Sequence, residues 1–264
     1  AIIGDGAMTG GLAYEGINNL GFHRTQLTIV LNDNSHSISK SVGALSNYLT
    51  RVVTNPTYNR IRNDIWEISG KLPLSSHIRK IMRKTEEGIK GYLTPGALFE
   101  ELGLRYIGPI DGHNLDDLIR TFQAVKKMNT PVLVHVYTHK GKGNKLAEKD
   151  AVKYYSIGGK AKHKVENAAP DYSKVFGKSI IQLAEQDDKV FCITAAMEIG
   201  TGMTPFIEKY PDRYVDVGIA EEHAVTYSSG LAAEGYKPIV PIYSTFMQRA
   251  YDHIFHDALL QKLP

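Results

Sequence analysis

"AIIGDGAMTGGLAYEGINNL", residues 1–20, carries the first decision about the fold. A short apolar run, Ala1 to Ile3, enters Gly4-Asp5-Gly6, and Ala13, Ile17 and Leu20 then recur at the spacing of one helix face. The stretch predicts a buried strand, a glycine-bearing turn and a helix over 7–20. "QLTIVLND" at 26–33 predicts a second buried strand. Strand, helix and strand in that order predict a βαβ unit, which sets two parallel strands side by side with their carboxyl ends together.

Working outward, the alternation continues. "TPGALFEELGL" (94–104) reads as helix, "RYIGPI" (105–110) as strand, "NLDDLIRTFQAVKKM" (114–128) as helix and "PVLVHVYT" (131–138) as a buried strand. Between 35 and 93 the pattern weakens into helix-compatible sequence. Its basic cluster, Arg79, Lys80, Arg83 and Lys84, reads as a solvated helix face, with a phosphate-binding patch as the alternative. "SIGGKAKHKVENAAPD" (156–171) has the polar, Gly/Pro-containing composition of a linker.

After the linker the pattern restarts: helix at 172–186, strands at 189–195 and 213–218, helix at 221–235, strand at 237–243 and an amphipathic helix at 246–264. Strands separated by helices of about 10–15 residues imply parallel sheets. The expected fold is α/β, in two units, each a mostly parallel sheet with helices on both faces. The first covers 1–155, with a helical or flexible insertion at about 35–93; the second covers 172–264. The chain opens on a core strand and stops where another is due, so both units are expected to be incomplete.

Composition narrows the partners. The chain has 264 residues, 42% hydrophobic and 22% charged, enough for two ordinary cores. With 31 basic and 28 acidic residues the net charge of +3 gives no field that argues for nucleic acid. No run of about 18 apolar residues predicts a membrane span, and the N-terminus lacks the zones of a signal peptide. Cys192, in "KVFCITAAM", is the single cysteine. It excludes an internal disulfide, fits a reducing, cytoplasmic setting, and reads as a buried small hydrophobe rather than a reactive thiol.

Chemistry gathers at the predicted strand ends, where open α/β sheets bind their ligands. Gly4-Asp5-Gly6 ends one strand and Asn32-Asp33-Asn34 ends its neighbour. An aspartate carboxylate and an asparagine carbonyl oxygen make a hard-oxygen site for Mg²⁺, completed by diphosphate oxygens and water. Flanking glycines let backbone approach the phosphates at a helix start. Asp-Gly alone is an ordinary turn; its pairing with "NDN" favours the functional reading. Glu221 and Glu222 follow a predicted strand, where first-turn acids are also favoured simply by the helix dipole. Lys140 stands in the glycine loop "THKGKG", where a solvated lysine is the alternative to a phosphate ligand. His253 and His256 have no partner at zinc spacing and read as packing or partner contacts. No G-x-G-x-x-G follows a predicted strand, which argues against a dinucleotide domain.

"GDGAMTGG…LNDNSHSIS…VGAL", "TPGALFEELGLRYIGPIDGHNLDDLI", "KGKG…AEKDAVKY" and "DVGIAEEHAVTYSSGLAAEGYKPIVPIYSTFMQRAYDHIFHD" together resemble the 1-deoxy-D-xylulose-5-phosphate synthases. These are thiamine-diphosphate enzymes of the transketolase-like superfamily, in which GDG followed one βαβ excursion later by N-x-N marks diphosphate and magnesium. The similarity runs through nearly the whole chain, weakest in 52–82 and the linker. It implies that 1–155 is part of a diphosphate-binding domain and 172–264 part of a pyrimidine-binding domain.

Residue by residue, the resemblance implies magnesium on Asp5, Asn34 and the backbone carbonyl of His36. Gly6, Ala7 and Lys140 would lie at the diphosphate. Glu221 would be the catalytic carboxyl facing N1′ of the aminopyrimidine, Phe246 would pack on that ring, and Tyr243 and Arg249 would line the substrate. The implied reaction condenses pyruvate, with decarboxylation, and glyceraldehyde 3-phosphate to 1-deoxy-D-xylulose 5-phosphate, at the head of non-mevalonate isoprenoid synthesis and feeding thiamine synthesis. A homodimer is implied for the full-length protein, with no nucleic acid or membrane partner. The 264 residues alone are expected to be inactive, because active-site histidines and the substrate-phosphate arginines would lie outside them. Transketolase-type ketol transfer and a non-catalytic cofactor-binding module remain the alternatives. Three departures bear on catalytic detail: Tyr155 where a histidine is usual, Glu198 where an arginine is common, and His36 where an apolar residue is common.

Overall fold

The computed structural model describes residues 1–34, 42–54, 96–151, 153–154 and 169–264. His36, the basic cluster at 79–84, Tyr155, most of the 35–93 insertion and most of the linker lie outside the described residues. The chain is α/β, with parallel sheets and helices, as the alternation predicts. It divides into two compact units. The first takes in Ala1–Gly4, Leu12–Asn34 and the described part of Ala44–Thr138; the second includes Asp5–Gly11 and the described part of His139–Pro264.

The first unit is built on β1 (Ile2–Gly4), β2 (Thr28–Asp33), β3 (Arg105–Asp111) and β4 (Val132–Tyr137), in the order β1-β2-β4-β3. Every pairing is parallel, and the register sets Gly4 opposite Asn32. The near-continuous apolar run of β4 is that of a strand paired on both edges: Val132 to Val136 are all buried. Ile110, Val125, Val132, Val134 and Val136 form the core here, with Val125 supplied by α4 (Leu115–Val125). Before α4 come α1 (Gly11–His23), α2 (Ala44–Thr54) and the short α3 (Ala97–Glu101). Asn114 caps α4 by accepting a hydrogen bond from Asp117 N at 3.2 Å, which satisfies one orphan amide of the first turn.

One expectation is corrected at the first turn. The helix predicted over 7–20 starts at Gly11. Residues Gly6–Thr9 instead form a 3₁₀ turn, and Gly10, extended at φ −79° and ψ 142°, separates the two. The tighter turn is held by Met8 N donating to Asp5 O at 3.2 Å and by the Thr9 hydroxyl donating to Gly6 O at 2.7 Å. A side chain that returns to the backbone in this way competes with helix and favours a turn.

The second unit begins its described linker end at 169 and runs through α6 (Tyr172–Gln186), β5 (Val190–Thr194), α7 (Thr204–Lys209), β6 (Tyr214–Asp216), α8 (Glu221–Ala233) and β7 (Lys237–Ile239). Ahead of them lies α5 (Lys145–Lys149). The sheet order is β6-β5-β7, all parallel. Ile180, Ala184, Val190, Cys192, Met203 and Phe206 pack as its core. Burial pushes the Cys192 thiol up to about 12, which fits the inert reading. β7 is shorter than the expected 237–243 because Pro238 and Pro241 lack the N–H a ladder needs; Pro238 is tolerated on an edge strand. The terminal segment is also not one regular helix. It runs as α9 (Ser244–Met247), a 3₁₀ turn (Gln248–Ala250), α10 (Tyr251–His253) and a π-helical turn (Ile254–Leu259). Among the described residues no helix is long and apolar enough to cross a membrane.

Candidate functional site

Glu221 opens α8, directly after the loop that leaves β6. It is 2% exposed, and its Oε2 accepts a hydrogen bond from Arg249 Nη1 at 2.8 Å. The same guanidinium reaches Glu222 Oε1 at 3.3 Å through Nη2. A nearly sealed carboxylate must have a partner to be tolerated, and Arg249, in the 3₁₀ turn after α9, is that partner. Sequence reading names both residues but misses their ion pair, because 28 positions separate them and nothing in the spacing joins them.

In the segment that also supplies Arg249, Tyr243 and Phe246 stack with ring centroids 6.0 Å apart and planes at 29°. Both rings stay partly exposed, so they do not serve as core. The Tyr243 amide points at Met197 Sδ, 3.5 Å away.

The glycine-rich turn belongs to this second unit by its contacts. Asp5 is 4% exposed, Gly6 is buried and Ala7 is exposed. A Cβ added at Gly10 would lie 3.1 Å from both Arg249 Nη2 and Ile219 O, so the turn backbone passes close to the ion pair and the loop before α8. Burial lowers the Lys140 ammonium below its ordinary range, and the charge of Asp5 works against that shift. Lys140 therefore shares an electrostatic environment with Asp5. Its loop is built tightly: Gly141 holds φ +79°, where a Cβ would meet Ala147 at 2.7 Å. Asn144 Oδ1 then caps α5 by accepting from Leu146 N at 3.0 Å, and Glu148 Oε1 accepts from Gly143 N at 2.9 Å.

Asn34 follows β2 in the first unit, where the strand end is tied across the sheet. The Thr138 hydroxyl donates to Asn32 Oδ1 at 2.9 Å, and Thr138 N donates to Asp33 O at 2.8 Å. Asp33 itself turns inward, with Oδ2 3.0 Å from His135 Nε2, while His135 Nδ1 lies 2.6 Å from the Tyr106 hydroxyl. One proton arrangement satisfies all three: Nε2–H donates to Asp33 and the Tyr106 hydroxyl donates to Nδ1. Asp33, in the middle of "NDN", is thus a structural residue of the sheet.

Sequence reasoning missed Asp216 and Thr9. Asp216 Oδ1 accepts from Ala196 N at 2.8 Å and Gly218 N at 2.9 Å, pinning the loops after β5 and β6. The available signal was an acid at a strand's carboxyl end followed by Val-Gly. Nearby, burial and then the charge of Asp216 raise the Glu198 carboxyl above its ordinary range. The Tyr214 hydroxyl, buried with no hydrogen-bond partner among the described residues, is raised well above the phenol range by burial and by Asp216 and Glu198. His256 Nδ1 lies 3.0 Å from Asp257 Oδ1. Among the described residues no three His, Cys, Asp or Glu side chains gather as a metal cage. The magnesium read from the sequence would have a single carboxylate ligand and is not of that kind.

Residues 1–138 match the family model described as 1-deoxy-D-xylulose-5-phosphate synthase, and residues 168–264 match the transketolase pyrimidine binding domain. A 1-deoxy-D-xylulose-5-phosphate synthase of Syntrophus aciditrophicus is 49% identical over 272 residues, covering 100% of this chain and 42% of the relative. One from Clostridium acetobutylicum is 45% identical over 267 residues, covering 100% of this chain and 43% of the relative. The chain thus spans less than half the length of these curated relatives. Among solved structures, transketolase from Campylobacter jejuni aligns at 15% identity over 99% of this chain and 45% of that chain, with a TM-score of 0.33, too loose to bear on the fold.

Proposed function

Since this chain belongs to the 1-deoxy-D-xylulose-5-phosphate synthase family, we propose that it carries part of the site of a thiamine-diphosphate- and magnesium-dependent transferase. The proposed reaction joins pyruvate, with loss of CO₂, to glyceraldehyde 3-phosphate, giving 1-deoxy-D-xylulose 5-phosphate for isoprenoid synthesis. A cytoplasmic homodimer is the form proposed for the whole protein. The observation that carries this reading is Glu221: a carboxyl 2% exposed at a helix start and held by a guanidinium.

The residues present fit the group. Tyr243 and Phe246 offer exposed ring faces for a flat heterocycle, with Glu221 on the same unit to meet a ring nitrogen. The partly desolvated Lys140 suits a diphosphate, which needs a cation. Asp5 is the proposed carboxylate ligand of magnesium, with Asn34 and the His36 carbonyl completing the protein's share. When bound, thiamine diphosphate supplies the carbon nucleophile that the protein's own side chains lack. Glu221 holds and exchanges a proton at N1′, and Arg249 fixes the orientation of that carboxyl before any ligand arrives. Gly6 and Ala7, in the turn beside Asp5, are the proposed backbone contacts of the diphosphate. Tyr243 and Arg249 are the proposed substrate contacts.

Calorimetric titration of the intact protein with thiamine diphosphate and Mg²⁺ tests the assignment. Asp5→Ala is expected to weaken binding by about tenfold or more, a charge-assisted metal contact being lost. Equal binding by both proteins would sink the metal site. Glu221→Gln is expected to retain binding but slow deuterium exchange at the cofactor's C2 by about 10²- to 10⁴-fold. Release of CO₂ from pyruvate separates this activity from ketol transfer, which releases none.

A further inference from the structure

Thr9 stands between the turn that follows Asp5 and the loop that runs into Glu221. Its hydroxyl donates to Gly6 O at 2.7 Å and accepts from Ile219 N at 3.0 Å, across 210 positions of sequence. The single hydroxyl proton goes to one side and a lone pair to the other, so one side chain satisfies both backbones. The surroundings leave little slack. Gly218 holds φ +76°, and a Cβ there would lie 2.9 Å from Thr9 Oγ1. Met8, the preceding residue, is fully buried. On the far side, Ala220 N bonds Gly218 O at 2.9 Å and Ala224 N bonds Ala220 O at 3.0 Å, so the loop at Ile219 is continuous with the first turn of α8. A shift of Ile219 therefore carries Glu221 with it.

We propose that Thr9 is a positioning residue: its hydroxyl clamps Gly6 to Ile219 and so holds the Asp5–Gly6 end and the Glu221 end of the site at one spacing. The inference rests on the cofactor reading given above for what those two ends bind. Thr9 acts through the backbone on either side. Of the close replacements, serine keeps both hydrogen bonds, whereas valine keeps the shape and loses both.

The test uses the intact protein and its Thr9→Val and Thr9→Ser variants, with two measurements. First, without cofactor, hydrogen–deuterium exchange of the peptide containing residues 217–221 is followed by mass spectrometry. Thr9→Val is expected to exchange about tenfold faster there, as one lost hydrogen bond allows, and Thr9→Ser to match the parent. Second, thiamine diphosphate is titrated at saturating Mg²⁺. Valine is expected to weaken binding about tenfold and serine less than about threefold. Parent-like exchange in Thr9→Val overturns the proposal, as does a serine variant that behaves like valine. Weakened binding without faster exchange overturns it too, since the effect would not pass through Ile219. Should the parent bind no thiamine diphosphate, the cofactor reading falls, while the exchange measurement still decides the clamp. If Thr9→Val does not fold, Thr9→Ala against Thr9→Ser carries the same comparison.

Discussion

The two sheets spend their buried polar groups differently. In the four-stranded sheet, side chains answer one another across strands: Asp33 on β2 meets His135 on β4, and His135 meets Tyr106 on β3. In the three-stranded sheet, side chains answer loop backbone. Asp216 at the end of β6 accepts from Ala196 N and Gly218 N, and the Thr194 hydroxyl at the end of β5 donates to Pro241 O at 2.8 Å. The first pattern locks strands to strands and makes framework. The second shapes the strand-end loops, one of which leads to Glu221. Ala196 shows the cost of such shaping: it holds φ +57°, a conformation worth about 1–2 kcal/mol of strain for a residue with a Cβ.

The largest effect that would break this contrast is at Asp33. Removing the carboxylate by Asp33→Ala leaves the fully buried His135 without its Nε2 partner. Leaving a buried donor without its charged acceptor costs about 3 kcal/mol. Urea unfolding of the intact protein is expected to show that loss, while hydrogen exchange around residues 217–221 stays as in the parent. A loss under about 1 kcal/mol would mean that the seam is not framework, since even one unsatisfied buried group costs more.

Asp216→Ala comes next and sharpens the other half of the comparison. Two backbone amides lose their acceptor, and the strained Ala196 loses the contact that holds it. About 2 kcal/mol of stability is expected to go, less than at Asp33, because these amides lie nearer to solvent. The local consequence is the distinguishing one: exchange in peptides covering 195–198 and 217–221 is expected to quicken. Destabilisation without local loosening would assign Asp216 to the framework after all.

This division also explains what could be read from sequence. Hydrophobic runs such as "PVLVHVYT" specify a buried parallel strand because each residue's own apolarity decides its burial. Asp5, Glu221 and Lys140 were legible as candidates, for a related reason: their chemistry is unusual beside glycine or at a strand end. Thr9 and the Arg249–Glu221 pair were not, since their roles are set by partners 210 and 28 positions away. The turn at Gly6–Thr9 reads as helix in the sequence because apolar periodicity carries no record of a hydroxyl returning to its own backbone. The terminal segment likewise reads as one helix, because its apolar spacing is compatible with helix while the hydrogen bonds change register within it.

Glu198 gives the smallest effect and the finest test of how loop residues feel Asp216. Burial, then the charge of Asp216, raises its carboxyl above the ordinary value of 4.5. The sign follows from proton binding. Between the ordinary and the raised value the folded chain holds more protons than the unfolded one, so this group's contribution falls as pH rises through that window. Above the window Glu198 opposes folding; below the ordinary value it is neutral. Glu198→Gln is therefore expected to raise the melting temperature slightly at pH 7 and to leave it unchanged near pH 3, about a unit below the ordinary glutamate value. In an Asp216→Asn background the gain at pH 7 is expected to shrink, because one of the two causes has gone while burial remains. A gain equally large at pH 3, or one indifferent to Asp216, would show that Glu198 is felt as shape rather than as charge. The polar groups of this loop would then be packing residues, like those of the four-stranded sheet.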